Sequence, residues 1–244
     1  MLFESQEGLL AWLIGRFAQE FRQEAILKGG MVLRLLESAR STNDADFVFV
    51  PRESRKDILV EVKTLLDGIE GLKWKHRIDS RALRLQIWFG GQMAQVEITA
   101  AKECRSFPLS TGALAHAHGF AGNIVRVMDL SVTLANKLAA WNERRLWRDV
   151  HDLWFLHSVR RTALDFPTLD ARLTHVERRR GKPVSMTRLE LAAELRRSAA
   201  EIHPDAVVQE LADTMAPEDL VGIEVRFATA MGRLATSLEE SLPR

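Results

Sequence analysis

The sequence predicts an α+β fold, in which a mixed or antiparallel sheet flanked by helices is followed by a C-terminal helical domain. In the N-terminal part, helical periodicity alternates with short runs of β-branched and aromatic residues. Two hairpin signals, Asp79-Ser80 and Gly90-Gly91, separate three segments with strand-like alternation. After Pro108 the strand signals fade and mostly helical patterns remain. We therefore expect a first domain over residues 1–107 and a helical domain over residues 108–244.

Composition restricts the class of protein. The chain has 244 residues, 46% of them hydrophobic, which is enough for a sizeable core. Its 34 basic and 33 acidic residues nearly cancel, so any nucleic-acid binding must come from local patches. The single cysteine, Cys104, cannot form an internal disulfide, and the N-terminal residues lack a signal cleavage site. No run approaches the roughly 18 apolar residues of a membrane span. We therefore expect a cytoplasmic protein with no membrane partner.

The first elements follow from the spacing of apolar residues. Residues 7–24 carry them at three- and four-residue intervals, which predicts an amphipathic helix that covers the sheet. Residues 25–27 predict a short buried strand ending at Gly29-Gly30, and the apolar run after the glycines predicts a second helix. The aromatic and β-branched residues 46–50 predict a strand, and residues 54–66 predict a third helix.

Three antiparallel strands are predicted next, over residues 72–78, 81–89 and 92–99. Alternation along the middle strand separates an apolar face from a face that carries Arg84 and Gln86. In the last strand the same alternation puts Glu97 on the face opposite Val96. Glu97 would therefore join the carboxylates of the earlier strand if the two strands are neighbours.

The second half predicts helices over residues 130–141, 146–159, 188–202 and 218–238. It also contains basic side chains that are candidates for contacts with an RNA phosphate backbone. They are the run Arg178 to Lys182, Arg144, Arg145, Arg160 and Arg161. A solvated loop or helix end explains the same residues, and the sequence leaves both interpretations open.

The candidate site combines Gly29 and Gly30 with Asp44 and Asp46. Two glycines before a helix allow backbone amides to approach a phosphate. Two carboxylates spaced by two residues on a strand point to the same side and are suitable ligands for hard cations such as Mg²⁺. Each part also has a structural explanation, because the glycines suit a tight turn and the aspartates suit a strand entry.

These residues and two later blocks resemble the AbiEii-type nucleotidyltransferase toxins, which have a polymerase-β-like core. The first block is Leu27-Lys28-Gly29-Gly30, Arg34, Arg40-Ser41 and Asp44-Ala45-Asp46-Phe47. Val96-Glu97-Ile98 resembles the strand that supplies the third carboxylate. Residues 136–140 and 148–153 resemble the Lys-Leu-Ala and Arg-Asp-x-x-Asp-Leu motifs. The match runs from residue 27 to residue 153 in family order.

The resemblance implies a Mg²⁺- or Mn²⁺-dependent transfer of a nucleotide from an NTP to a target, which is tRNA in the MenT-type relatives. It further implies a toxin with a cognate antitoxin. In two-metal nucleotidyl transfer the ions lie about 4 Å apart and stabilise the entering and leaving oxygens. The resemblance then assigns Asp44 and Asp46 to the metals and Glu97 to one metal or to the attacking hydroxyl. It assigns the amides of Gly29 and Gly30 to the triphosphate.

The later motifs supply the remaining assignments. Lys137 would neutralise the β- and γ-phosphates, Asp149 would orient Lys137 or contact the nucleotide, and Arg148 would assist. One residue departs from the family pattern, since Met31 stands where Ser or Thr normally follows the glycines. A lost hydroxyl contact there would weaken triphosphate binding by about 0.5–1.5 kcal/mol. The alternative is a catalytically degenerate nucleotidyltransferase fold that binds nucleotide, RNA or a protein partner, and Met31 supports it.

Overall fold

The computed structural model describes residues 2–176 and 184–241. The basic run at residues 178–182 lies outside the described residues. The chain divides into two compact units, Met1–Asp129 and Leu130–Arg244. The first unit thus extends beyond the boundary that the sequence placed near residue 108.

The first unit is built on a seven-stranded mixed sheet. Its elements are α1 (Gln6–Phe21), β1 (Ala25–Lys28), α2 (Gly30–Leu35), β2 (Asp44–Phe49), α3 (Arg55–Asp67), β3 (Lys73–Ile78), β4 (Leu83–Phe89), β5 (Gln92–Ala100), β6 (Ser106–Ser110), α4 (Gly112–Ala117) and β7 (Ile124–Met128). The strand order is β3-β4-β5-β2-β1-β7-β6. Only β2–β5 and β1–β7 are parallel pairs among these neighbours. The predicted sheet with flanking helices is confirmed.

The position of the boundary follows from β6 and β7, which the sequence patterns did not reveal. Strand β7 pairs in parallel with β1, where Leu27 lies opposite Val127, and β6 pairs antiparallel with β7. Both strands have five residues, too few to show a clear alternation. Pro108 lies in β6 at the edge of the sheet, where a missing N–H donor is tolerated.

Helix α1 covers the apolar face of this sheet. The Ser5 hydroxyl caps its first turn by accepting a backbone N–H at 3.1 Å. Phe17 stacks on Phe47 of β2 with ring centroids 5.0 Å apart, and Phe21 contacts Phe49 edge-on at 4.9 Å. The alternate residues of β2 therefore point to the opposite face.

The predicted faces of β4 and β5 are confirmed by burial. Leu83, Leu85 and Ile87 are buried, whereas Arg84 and Gln86 between them are exposed. In β5, Val96 and Ile98 are buried on the same side as the leucines. The polar face of these strands is consequently continuous with the face that carries Glu97.

The second unit is helical. It contains α5 (Leu130–Arg144), α6 (Trp147–Trp154) with a π-helical continuation (Phe155–Val159), α7 (Phe166–Leu173), α8 (Arg188–Ala200), α9 (Pro204–Leu211), α10 (Pro217–Leu220) and α11 (Ile223–Glu240). The sequence predicted α5, α6 and α8, but not α7 and α9, which have eight residues each. The single helix predicted over residues 218–238 is divided into α10 and α11, because Gly222 before α11 has a positive φ of 65°. Trp141, Phe227 and Leu234 are fully or almost fully buried in its core. Among the described residues of either unit, no helix combines the length and apolar character needed to cross a bilayer.

Candidate functional site

Four charged residues form a row across the sheet of the first unit. Asp46 on β2 lies in register with Lys28 of β1 on one side and with Glu97 of β5 on the other. Glu97 is in turn in register with Arg84 of β4. Register partners on neighbouring strands share a sheet face, so the row runs Lys28, Asp46, Glu97, Arg84. Two carboxylates lie side by side with a cationic residue on each outer side.

Asp44 extends this row toward the start of β2. It lies two residues before Asp46, on the same face, and is exposed. Its Oδ1 accepts a hydrogen bond of 2.6 Å from the Thr42 hydroxyl. Strands β2 and β5 are adjacent, which the sequence could not establish. Their pairing brings Asp44, Asp46 and Glu97 to one face of the sheet. Their roles toward a metal or substrate remain predictions.

Arg84 holds the carboxylate of Glu97. Its Nε donates to Glu97 Oε2 at 2.9 Å, and its Nη1 donates to Asp79 in the turn between β3 and β4. Backbone N–H groups of Arg81 and Ala82 also donate to Asp79, and together with Arg84 they lower the pKa of Asp79 to about 2. Asp79 is therefore ionised at neutral pH and holds the guanidinium beside Glu97.

The glycine pair brings the backbone close to the carboxylate strand. Gly29 has φ +75° and ψ −153°, a conformation that is essentially restricted to glycine. A Cβ on Gly29 would lie 3.1 Å from Cγ and 3.2 Å from Cβ of Asp46. A Cβ on Gly30 would lie 2.9 Å from the Thr42 hydroxyl oxygen. Both glycines are thus needed for packing against Asp46 and Thr42, whatever they contact in addition.

Met31 is a core residue. It lies in α2, and its exposed fraction is 0%. The side chain at this position therefore points into the interior of the first unit, away from solvent. An apolar side chain at this position is therefore removed from water, which favours Met over Ser or Thr for stability.

The donor chemistry of Asp44, Asp46 and Glu97 fits a hard divalent cation, because carboxylate oxygens are the ligands that Mg²⁺ and Mn²⁺ prefer. In their present positions the side chains are engaged elsewhere. Glu97 is bound by Arg84, and Asp44 accepts from Thr42. Within residues 2–176 and 184–241, no three His, Cys, Asp or Glu side chains are arranged to hold a metal ion.

Lys137 and Asp149, two predicted site residues of the second unit, each take part in an ion pair whose carboxylate is buried. Lys137 Nζ lies 2.5 Å from Asp152 Oδ2, and the Asp152 side chain is 1% exposed. Asp149 is bound in a bidentate pair by Arg144, at 3.1 and 2.6 Å. Burial raises the pKa of Asp149, although Arg144 and Lys137 act in the opposite direction. The carboxylate in direct contact with Lys137 is thus Asp152, while Asp149 acts on Lys137 only through its charge.

Arg148 differs from its neighbours because it is exposed. Its backbone N–H donates to Glu210 at 3.0 Å. Neither Arg148 nor Asp149 takes the direct contact with Lys137. Their predicted roles toward a nucleotide stay predictions.

Three residues that complete these contacts were missed in the sequence. Arg84 could have been found, since alternation already placed it on the polar face of the middle strand. Thr42 had a weaker signal in its position two residues before Asp44. Asp152 had a signal in its place in the Arg-Asp-x-x-Asp-Leu motif, but which aspartate meets Lys137 depends on how α5 and α6 pack.

A depression of about 430 Å³ opens on the polar face of the first unit. Its lining includes Asp44, Glu97 and Arg84 together with basic residues of β3. A larger depression of about 580 Å³ lies beside the turn between α1 and β1, and it contains none of the predicted site residues. Because the smaller depression is lined by residues of the charged row, it is the better candidate for a ligand site.

Comparison with known proteins agrees with this architecture. The model of a family described as the nucleotidyl transferase AbiEii toxin of a type IV toxin–antitoxin system matches residues 12–232. No curated protein matches the sequence significantly.

Two solved structures are similar over almost the whole chain. MenT4, a nucleotidyltransferase toxin from Mycobacterium tuberculosis H37Rv, is 19% identical with a TM-score of 0.57, and the alignment covers 98% of this chain and 84% of that one. JHP933 from Helicobacter pylori is 15% identical with a TM-score of 0.54, over 98% of this chain and 96% of that one. At these identities the similarity concerns the fold.

Proposed function

Because the chain belongs to the AbiEii family of nucleotidyl transferase toxins, we propose that it transfers a nucleoside monophosphate from an NTP to an RNA acceptor. A hydroxyl oxygen of the acceptor bonds to the α-phosphorus, and pyrophosphate leaves. tRNA is the acceptor class that the family resemblance implies, and a cognate antitoxin is the implied protein partner. The observation that carries the proposal is the register of Asp46 with Glu97, beside Asp44 and against the glycine turn.

Asp44, Asp46 and Glu97 would hold Mg²⁺ or Mn²⁺, as their oxygen donors suit. A divalent cation held there supplies stabilisation of charge on the attacking and leaving oxygens. Glu97 would bind the ion with the carboxylate whose Oε2 accepts from Arg84. Arg84 would be held beside it by its second contact, with Asp79.

The remaining groups would handle the phosphates. The amides of Gly29 and Gly30 are proposed to contact the triphosphate, because no side chain separates them from it. Lys137 is proposed to neutralise the β- and γ-phosphates, for which its ammonium must share or leave Asp152. Asp149 and Arg148 remain proposed nucleotide contacts.

A second function is a binding protein without chemistry, as in a degenerate nucleotidyltransferase. The specific observation in its favour is that Glu97 is occupied by Arg84, with no three-carboxylate cluster among the described residues. Such a protein would bind NTP or RNA with the ion pair between Arg84 and Glu97 intact.

The deciding experiment incubates the protein with each of the four labelled NTPs in turn, Mg²⁺ and total RNA. We expect label in RNA, and in the tRNA fraction, from at least one NTP. Asp46→Asn is the matched variant, because it keeps the size of the side chain that packs against Gly29 and removes only its charge. It should fold as the wild type does and transfer nothing. Nucleotide binding with no transfer by the wild type would favour the degenerate alternative.

A further inference from the structure

The outer part of the polar sheet face is basic and exposed. Strand β3 at the sheet edge presents cations at alternate positions, and β4 and β5 present amides and one aromatic ring on the same face. Six exposed residues make up this surface, which we call the basic face: Lys73, Lys75, Arg77, Gln86, Trp88 and Gln95. No described carboxylate forms an ion pair with its three cations.

We propose that the basic face binds a single-stranded segment of the RNA acceptor and guides its hydroxyl toward the carboxylates. This inference rests on the proposed function. The basic face adjoins the charged row directly, because Lys75 and Gln95 line the same depression as Asp44 and Glu97. A strand of RNA lying on it would therefore end beside the carboxylates.

The order of the strands supports the direction of approach. The glycine turn lies at the end of β1, on one side of Asp46, whereas β5, β4 and β3 follow on the other side. In an in-line transfer the attacking hydroxyl enters opposite the leaving pyrophosphate. If the glycine turn holds the triphosphate, the acceptor must enter from the side of β3.

A triphosphate held at the glycine turn would lie on the other side of Asp46 from the β3 cations. Strand β3 lies three strand spacings from β2, about 14 Å at about 4.8 Å each. Lys73, Lys75 and Arg77 are two residues apart along one strand, so their side chains repeat about every 6.6 Å. A row of cations suits the repeating phosphates of a polynucleotide backbone better than one compact anion.

The aromatic and amide groups favour a single strand. Trp88 is 36% exposed, and the ammonium of Lys75 lies 5.8 Å from the centroid of its ring. An exposed ring beside a cation can stack an unpaired base while the cation contacts its phosphate. Gln86 and Gln95 offer donors and acceptors to base edges. An A-form duplex hides its base faces and would leave the ring unused.

The test measures binding of a short fluorescent single-stranded RNA and of its blunt duplex at several salt concentrations. The double variant Lys73→Ala with Lys75→Ala should reduce the slope of log affinity against log salt by about 1.4, or about 0.7 per lost phosphate contact. Trp88→Ala should weaken single-strand binding roughly 5- to 160-fold. The matched control removes two exposed lysines from outside the basic face, Lys56→Ala with Lys102→Ala, and should bind like the wild type.

Transfer assays separate this inference from the proposed function. The variants of the basic face should raise KM for RNA and leave KM for the NTP unchanged. If the wild type transfers nucleotide and the Lys73 and Lys75 variant keeps the wild-type salt slope, the inference is overturned and the proposed function stands. If the wild type binds single-stranded RNA through this face but transfers nothing, the transfer reaction is overturned instead. Equal affinity for the duplex, with the same loss in the variants, overturns the single-strand assignment.

Discussion

Replacing Gly29 by alanine should damage the site through two separate effects. With φ +75° and ψ −153°, the backbone strain on a residue with a side chain is about 1–3 kcal/mol. The new Cβ would also lie 3.1 Å from Cγ of Asp46, closer than the 3.5–4.0 Å or so at which carbon atoms attract. The β1 turn or the Asp46 carboxylate must therefore move. We expect the free energy of unfolding to fall by about 1–3 kcal/mol from the backbone effect alone, and nucleotide transfer to be lost.

Gly91 provides the matched control. Its φ is +85°, and a Cβ built there meets no described atom within 4 Å. Gly91→Ala should therefore strain the turn between β4 and β5 without moving a carboxylate. Urea unfolding gives the stability of both variants, and label transfer is then compared per folded molecule. If Gly29→Ala transfers nucleotide as well as Gly91→Ala does, the close approach to Asp46 has no role in the reaction.

Three further variants test separate parts of the structure. Glu97→Gln should keep the stability within about 1 kcal/mol, because its ion pair is partly exposed, and should abolish label transfer; retained transfer would remove Glu97 from the mechanism. Burial acts to raise the pKa of Glu7, but the ion pair with Arg34 helps to lower it below 4.5 overall, so the wild type should lose stability as the pH falls below 4.5. The free energy of unfolding in urea should fall less for Glu7→Gln than for the wild type between neutral and acid pH. An equal fall in both proteins would contradict the linkage between this pKa and stability. Lys137→Met should cost about 3–5 kcal/mol in the same assay, since the buried Asp152 would lose the ammonium 2.5 Å away. Lys137→Met with Asp152→Leu should recover part of that loss; a single variant of wild-type stability would show that the pair is not needed.

Local patterns were sufficient for most of the first unit. Helix α1 and strands β3 to β5 were predictable because each has enough residues to show its period, and burial reproduces the predicted faces. Strands β6 and β7 have five residues each, and their pairing depends on β1 in a distant part of the sequence. The domain boundary could not be placed correctly without that pairing.

The site combines local and non-local features in the same way. The spacing of Asp44 and Asp46 fixed their common face, but the pairing that brings Glu97 beside Asp46 joins positions about fifty residues apart in the chain. Asp149 and Asp152 lie three residues apart on α6, so both fall on one side of the helix. Which of them meets Lys137 depends on the packing of α5 against α6, and no sequence spacing encodes it.

The charged row also explains why the sheet tolerates two adjacent carboxylates. Like charges side by side repel unless each has a partner of opposite charge. Arg84 is that partner for Glu97, and Asp79 gives the same guanidinium a second acceptor. The pKa of Asp79 is lowered to about 2, so Asp79 stays ionised at neutral pH and holds Arg84 beside Glu97. The charge of Arg84 thus offsets the repulsion between Glu97 and the neighbouring Asp46.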